Sequence, residues 1–219
     1  MKSFNMLTIA LGVMVVLGGC QTSNQSSNNL YGYDFNSAKI TFQVSGTTQG
    51  ESRVVIQGDK KRIENKYISK DLNGNQQSGE TLTIEDKDRI YSLDLVKKQG
   101  ISFINPLFSE LQKLTPEQRK ARLVKEALTA GLNSEGKPVT LEPSGTETVA
   151  GQTCQIYKRE YQEICLWNGI PLKTTTELPL KNIKIVSVAT KIEFNAPVDE
   201  AEFAIPKDIQ IQEVNLTQN

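Results

Sequence analysis

The chain has 219 residues, 25 Lys and Arg against 25 Asp and Glu, and 37% hydrophobic residues. That composition fits one ordinary globular domain or two small ones, and it excludes a collagen, a polytopic membrane protein and a strongly basic nucleic-acid binder. It contains no His, which removes the commonest general base, the Ser-His and Cys-His nucleophile pairs and the commonest metal ligand.

Residues 3–19 carry no charge and follow Lys2; their apolar run from Met6 to Leu17 is too short to span a bilayer well. A short basic start, an apolar stretch and small residues at a cleavage point are the layout of a secretory signal. Leu17-Gly18-Gly19-Cys20 resembles the lipobox of bacterial lipoproteins. The resemblance implies a diacylglycerol thioether on Cys20, cleavage after Gly19 and acylation of the new amino group. The alternative is a short buried helix ending in a core cysteine, but Gln21 to Asn29 are polar throughout and can bury nothing. Two or three acyl chains, at about 0.8 kcal/mol per buried CH₂, anchor far more firmly than one. The expected division is a signal peptide over 1–19, a lipidated flexible tether over 20–36 and one antiparallel β domain over 37–219 with a helical insertion near 106–131. Gln21 in place of Asp implies, by resemblance to Gram-negative lipoproteins, an outer-membrane anchor facing the periplasm.

Beyond the tether, apolar and polar residues alternate. Ile40, Phe42 and Val44 stand against Lys39, Thr41 and Gln43, Leu82 and Ile84 against Thr81 and Thr83, and Leu93 with Tyr91 against Ser92. Val186, Val188, Ile192 and Phe194 repeat the pattern near the end. Each run reads as a strand with one buried and one wet face, the habit of antiparallel sheets. Gly58-Asp59, Asn73-Gly74 and Asp86-Lys87-Asp88 supply turns between them, so the strands form a meander.

The exception is the stretch from 106 to 132. Thr115-Pro116-Glu117-Gln118 starts a helix, with Thr115 as N-cap, Pro116 at the first helical position and Gln118 placed for a capping box. Gly131 is the stop. Ala121, Val124, Ala127, Leu128 and Leu132 form its apolar stripe, and Leu107, Phe108, Leu111 and Leu114 suggest a shorter helix before it. Arg119, Lys120, Arg122 and Lys125 are either a solvated face or a contact with anionic lipid.

Setting Cys20 aside leaves Cys154 and Cys165, in two β-prone runs around a polar centre. A hairpin turning near Arg159 and Glu160 brings them opposite each other, so a structural disulfide is expected in an exported protein. Two buried thiols or a redox pair are the alternatives, and the spacing is far from C-x-x-C.

No catalytic or metal motif emerges. Asp71-Leu72-Asn73-Gly74-Asn75 begins like a calcium loop, but Gln76 stands where Gly is needed and Leu82 where a bidentate Glu is needed. Asp86, Asp88 and Asp94, and Asp199, Glu200 and Glu202, read as solvated acidic clusters. Neither a P-loop, a G-x-S-x-G nor a dinucleotide-binding pattern is present. Trp167, beside Cys165, is expected in the core.

Gly58-Asp59-Lys60-Lys61-Arg62-Ile63-Glu64, Ile90-Tyr91-Ser92-Leu93-Asp94-Leu95, Val149-Ala150-Gly151-Gln152-Thr153-Cys154, Gly169-Ile170-Pro171-Leu172-Lys173 and Phe203-Ala204-Ile205-Pro206 occur in this order. Together they resemble small bacterial exported proteins of an uncharacterised domain family similar to the Lol-type lipoprotein carriers. The resemblance implies an α+β, mainly β fold: a curved antiparallel half-barrel with helices over an apolar concave face. It departs from that system's outer-membrane receptor in lacking a recognisable exposed apolar loop. The faces bearing Ile40, Phe42, Val44, Leu82, Ile84, Leu93, Val186, Val188, Ile192 and Phe194 are expected to converge on one interior, incompletely covered by the helices. The leading expectation is a membrane-anchored module binding an acyl or other lipid ligand, with no metal or cofactor. The runner-up is an interaction lipoprotein with a filled core and an envelope-protein partner, and an enzyme ranks third.

Overall fold

The alternating runs pair into one sheet in a computed structural model that describes residues 30–70, 74–129 and 142–215. A first meander runs through β1 (Ser37–Gly46), β2 (Thr48–Gln57), β3 (Lys60–Lys70), β4 (Gln76–Asp86), β5 (Arg89–Asp94) and β6 (Gln99–Ile104). Two helices, α1 (Phe108–Leu111) and α2 (Pro116–Thr129), precede a second meander. It comprises β7 (Pro143–Val149), β8 (Gln152–Arg159), β9 (Gln162–Trp167), β10 (Ile170–Leu178) and β11 (Ile183–Phe194). Pairing of β1 with β11 fuses the meanders, and β12 (Gln210–Glu213) returns to lie parallel to β6. The result is a twelve-stranded, curved open sheet of α+β, mainly β, half-barrel-like architecture. Asn168 and Gly169, both at positive φ (48° and 82°), make the tight β9–β10 turn.

Directly paired residues share a face, so the register sorts side chains into two sets. The front face carries Ile40 with Val54 and Ile192 beside it, then Ile63. The back face carries Lys39, Val55, Arg62, Ile84 and Tyr91 in successive pairings. Ile40, Phe42, Val44, Ile192 and Phe194 are therefore on the front. Leu82, Ile84 and Leu93 are on the back, where they form a separate core with Ile205 and Ile209. In the ladder Val186 and Val188 stand opposite the backward-facing Ser45 and Gln43, but Val188 still packs at the margin of the core that holds Ile40 and Phe42.

The expected single interior is thus corrected to two, for two physical reasons. Thr41 pairs with Lys191 but Phe42 with Ala189, leaving Thr190 as a bulge residue that inverts the phase of the rest of β11. Alternation within a strand also carries no record of which side of the sheet its apolar set joins, and here both sides are covered.

On the back, the cover is the chain between β11 and β12. Glu202 binds Lys39 (2.9 Å) and Arg53 (3.0 Å), its carbonyl accepts from Arg62, and Glu200 binds Lys60 (2.6 Å). Phe203 is buried beside this clamp. The acidic cluster expected to be solvated instead fastens the segment to basic residues of β1–β3, and Asp199 caps its short 3₁₀ turn.

On the front, two pieces share the cover. Thr115 and Gln118 form the expected reciprocal cap of α2, at 2.9 and 3.3 Å. Leu128, with Val124 and Ala127, packs on Tyr157, Ile164 and Leu166. Arg159 donates to the carbonyls of Ala127 and Leu128 at the end of α2. Of the basic residues, Arg122 binds Glu110 and Glu126, Lys120 binds Asp34, and Arg119 donates to the Leu111 carbonyl. This cluster ties α1 and the N-terminal segment to α2.

The second piece is residues 30–35. Leu30, Tyr31, Tyr33 and Phe35 are buried, so this part of the expected tether belongs to the folded core. Gly32, at φ +66°, passes α2 so closely that a Cβ would lie 2.5 Å from the Pro116 carbonyl.

Cys154 and Cys165 form a disulfide across the β8–β9 hairpin, with Cα atoms 5.3 Å apart. Cys165 faces Ile156 in the ladder, so the cysteines are diagonal neighbours, not directly opposite as expected. The lipobox residues Leu17, Gly18, Gly19 and Cys20, the stop at Gly131 with Leu132, and Asp71 to Asn73 lie outside the described residues. Among the described residues, no helix is long and apolar enough to cross a membrane.

Candidate functional site

Between the two front-face covers lies a cleft of about 380 Å³, within the size range of small-molecule sites. Its floor is Phe42 of β1, Val54 and Ile56 of β2, and Ile63 of β3. These meet because the ladder places Val54 directly between Ile40 and Ile63. The tight turn at Asn168–Gly169 brings Ile170 and Pro171 up as one wall, and Thr174 and Ser187 continue it. Tyr33, from the covering segment 30–35, completes the lining as its roof.

Tyr33 is fixed by aromatic packing. Its ring stacks on Tyr31 at 5.5 Å and Phe35 at 4.9 Å, and Phe35 continues the series to Trp167 at 6.2 Å. Trp167, expected in the core, is half-buried and packs on the core's rim against Phe35 and Phe194. At the Tyr31 end, the Lys61 ammonium lies 2.6 Å from one Glu85 oxygen, while the Tyr31 hydroxyl donates to the other at 2.8 Å. Burial pushes the Tyr31 hydroxyl far above the ordinary tyrosine range, with the Glu85 charge adding to it. Tyr33 is raised in the same way, first by burial and then by Glu85.

Of the expected cavity residues, Phe42 alone lines this cleft. Ile40 belongs to the core beside it, against which Val188, Ile192 and Phe194 pack, Val44 is half-buried on the same face as Phe42, and Leu82, Ile84, Leu93 and Val186 face the other way. Missed in the sequence were Tyr33, Val54, Ile56, Ile63 and Ile170. The alternating aromatics of Leu30-Tyr31-Gly32-Tyr33-Asp34-Phe35 carried a legible signal. Val54-Val55-Ile56 did not, because Val55 is buried on the back face and breaks the alternation.

A larger hollow of about 610 Å³ lies over β4, β5, β6 and β12, where Thr81, Ser92, Asp94, Gln99, Gln210 and Gln212 interleave with Leu93, Ile101 and Ile211 in an open, mixed surface. It suits an apolar ligand poorly. Among the described residues, no group of three or more His, Cys, Asp or Glu is placed to hold a metal. The expectation of no exposed apolar loop is corrected in one detail: Leu180, at the tip of the β10–β11 connection, is 100% exposed.

No family model matches the chain, and no curated protein matches it significantly. The resemblance to Lol-type carriers therefore has no sequence-family match beside it. Among solved structures, the chain is similar to an uncharacterized conserved protein from Thermus thermophilus, at 12% identity and a TM-score of 0.47, over 82% of this chain and 91% of that one. It is also similar to PNGF-II, at 14% identity and 0.46, over 82% of this chain but 32% of PNGF-II. MucB, in the Pseudomonas aeruginosa MucA/MucB complex, matches at 15% identity and 0.42, over 85% of this chain and 62% of the other. The chain thus spans about a third of PNGF-II and under two thirds of MucB. These are distant likenesses of fold and bring no function with them.

Proposed function

We propose that this is a bacterial envelope lipoprotein, anchored by acylated Cys20 in the outer membrane facing the periplasm, whose front-face cleft binds an acyl or other lipid chain without catalysing a reaction. The observation that carries the reading is the cleft itself: Phe42, Val54, Ile56, Ile63 and Ile170 line space that side chains do not fill. The roofing residues continue directly from the anchor. Cys20 to Leu30 is ten residues, at most about 35 Å when extended, so the cleft works close to the bilayer. Burying roughly 200 Å² of apolar ligand area would contribute about 5 kcal/mol before association costs. That supports weak to moderate binding, suited to a ligand that must also leave.

The test uses full-length protein reconstituted in bilayers and a fluorescent acyl probe. Saturable binding to the wild type, weakened at least about tenfold by Val54→Trp without loss of the β-sheet circular dichroism signal, is the expected result. Labelled palmitate should enter the wild type and not Cys20→Ser. No saturable binding would transfer the reading to an interaction lipoprotein with an envelope-protein partner, and undiminished palmitate in Cys20→Ser would remove the anchor.

A further inference from the structure

The cleft is polar at two places, and neither offers a net charge. On one wall stand the hydroxyls of Ser52, Thr174 and Ser187. Thr174 is directly opposite Ser187, Ser187 is opposite Val44, and Ser52 is opposite Phe42 one row further along. All three are half-buried. Among the described residues no hydrogen bond engages their side chains, although other half-buried hydroxyls, such as Thr81 with Asn65 and Thr176 with Gln162, are taken up. Half-buried hydroxyls turned to an apolar cleft offer both donors and acceptors to whatever enters.

At the other place stands Lys61, the cation on the cleft wall. It is directly opposite Glu85 in the β3–β4 ladder, and the 2.6 Å ion pair is largely covered, with side-chain exposures of 23% and 15%. The Tyr31 hydroxyl holds the second Glu85 oxygen, and the Lys61 ammonium lies 5.7 Å from the centre of the Tyr31 ring. The positive charge is therefore already matched. A ligand carboxylate could pair with Lys61 only by displacing Glu85. That would leave a covered carboxylate without its cation, next to a second carboxylate. At the hydroxyl wall the same carboxylate would lose hydration with no countercharge to replace it. An ester or amide carbonyl, or an alcohol, meets neither cost and can use the free hydroxyls.

We infer that the cleft selects an aliphatic chain bearing an uncharged hydrogen-bonding head group, an ester, amide or alcohol, over a fatty-acid anion, with Glu85 as the residue that excludes the anion and the Ser52, Thr174 and Ser187 hydroxyls as those that receive the neutral head. This rests on the acyl-binding reading above and adds the chemistry of the head group.

Trp167, the chain's single tryptophan, is two residues from the cleft-lining Gly169 and serves as the reporter. Full-length protein in bilayers is titrated at mildly alkaline pH with mid-chain brominated stearate, its methyl ester, the corresponding alcohol and the bromoalkane. Bromine quenches indole fluorescence only at short range. The ester and alcohol should quench Trp167 at concentrations at least about tenfold below the acid. Glu85→Gln should bring the acid to within about threefold of the ester. Ser187→Ala should weaken the ester about fivefold and leave the bromoalkane unchanged, which keeps the inference open to test if Glu85→Gln fails to fold. Acid binding as tight as ester binding in the wild type overturns the inference while acyl binding stands. An unchanged acid-to-ester ratio in folded Glu85→Gln removes Glu85 as the excluding residue. Absence of quenching by every brominated chain defeats the acyl-binding reading as well.

Discussion

Tyr33→Ala is expected to lower the unfolding free energy by about 3–4 kcal/mol, the cost of deleting a buried aromatic side chain from a packed stack. Tyr33 is only 6% exposed, and its ring is held between Tyr31 and Phe35, the latter at 4.9 Å and 11° between planes. Phe35 bears in turn on Trp167 and Phe194. Removing the middle ring leaves a void bounded by two rings that the sheet fixes at their far ends, so collapse to fill it is limited. Tyr33→Phe keeps the stack and should cost about 1 kcal/mol or less. Urea unfolding followed through Trp167 checks both, with the shift in midpoint at unchanged slope as the readout. A Tyr33→Ala midpoint equal to the wild-type one would mean that residues 30–35 lie on the sheet without contributing to its stability. The same variant removes the cleft's roof and should weaken the acyl probe.

Replacing Cys154 and Cys165 together by Ala is expected to cost about 3 kcal/mol in the chain-entropy description of a short closed loop. The cysteines are 11 positions apart and buried to 1% and 2% exposure. The bond closes β8 onto β9, and the Cys154 sulfur lies 3.4 Å from the Glu147 carbonyl of the edge strand β7. Loss of the bond should therefore loosen the last two strands of the sheet first. Hydrogen exchange on β7 and β8, measured beside global unfolding, separates this local opening from a uniform loss. Equal stability of the double variant and the wild type would leave the hairpin held by its ladders and by the packing of Val149, Tyr157, Ile164 and Leu166.

Local chemistry was readable along the chain, and long-range register was not. The cap of α2 follows from Thr115, Pro116 and Gln118 because every partner lies within one helical turn. The meander follows from alternation and turn residues, and the disulfide from the two cysteines flanking a hairpin. Which residues share an interior depends instead on the pairing of strands distant in sequence, where one extra residue, Thr190, turns Val186 away and leaves Val188 at the margin of the core. Leu82, Ile84 and Leu93 alternate as well as Ile40 and Phe42, yet they serve the opposite face because the segment carrying Ile205 and Ile209 covers it. Glu200 and Glu202 read as a solvated cluster for the same reason: their partners Lys39, Arg53 and Lys60 lie more than a hundred residues away in sequence. The cleft was legible as a class of site, an apolar space under incomplete cover, but only Phe42 of its lining was named, because its floor crosses three strands and its roof comes from residues assigned to the tether.

The measurement that bears most directly on the central claim is native mass spectrometry of the full-length chain released from the envelope of cells that express it, wild type beside Val54→Trp. The account predicts a wild-type species heavier than the anchored protein by one acyl-bearing lipid, and its disappearance in Val54→Trp, whose added ring occupies the cleft floor between Ile40 and Ile63. A wild-type chain carrying no lipid beyond its own anchor, or a bound lipid that Val54→Trp leaves in place, would contradict it.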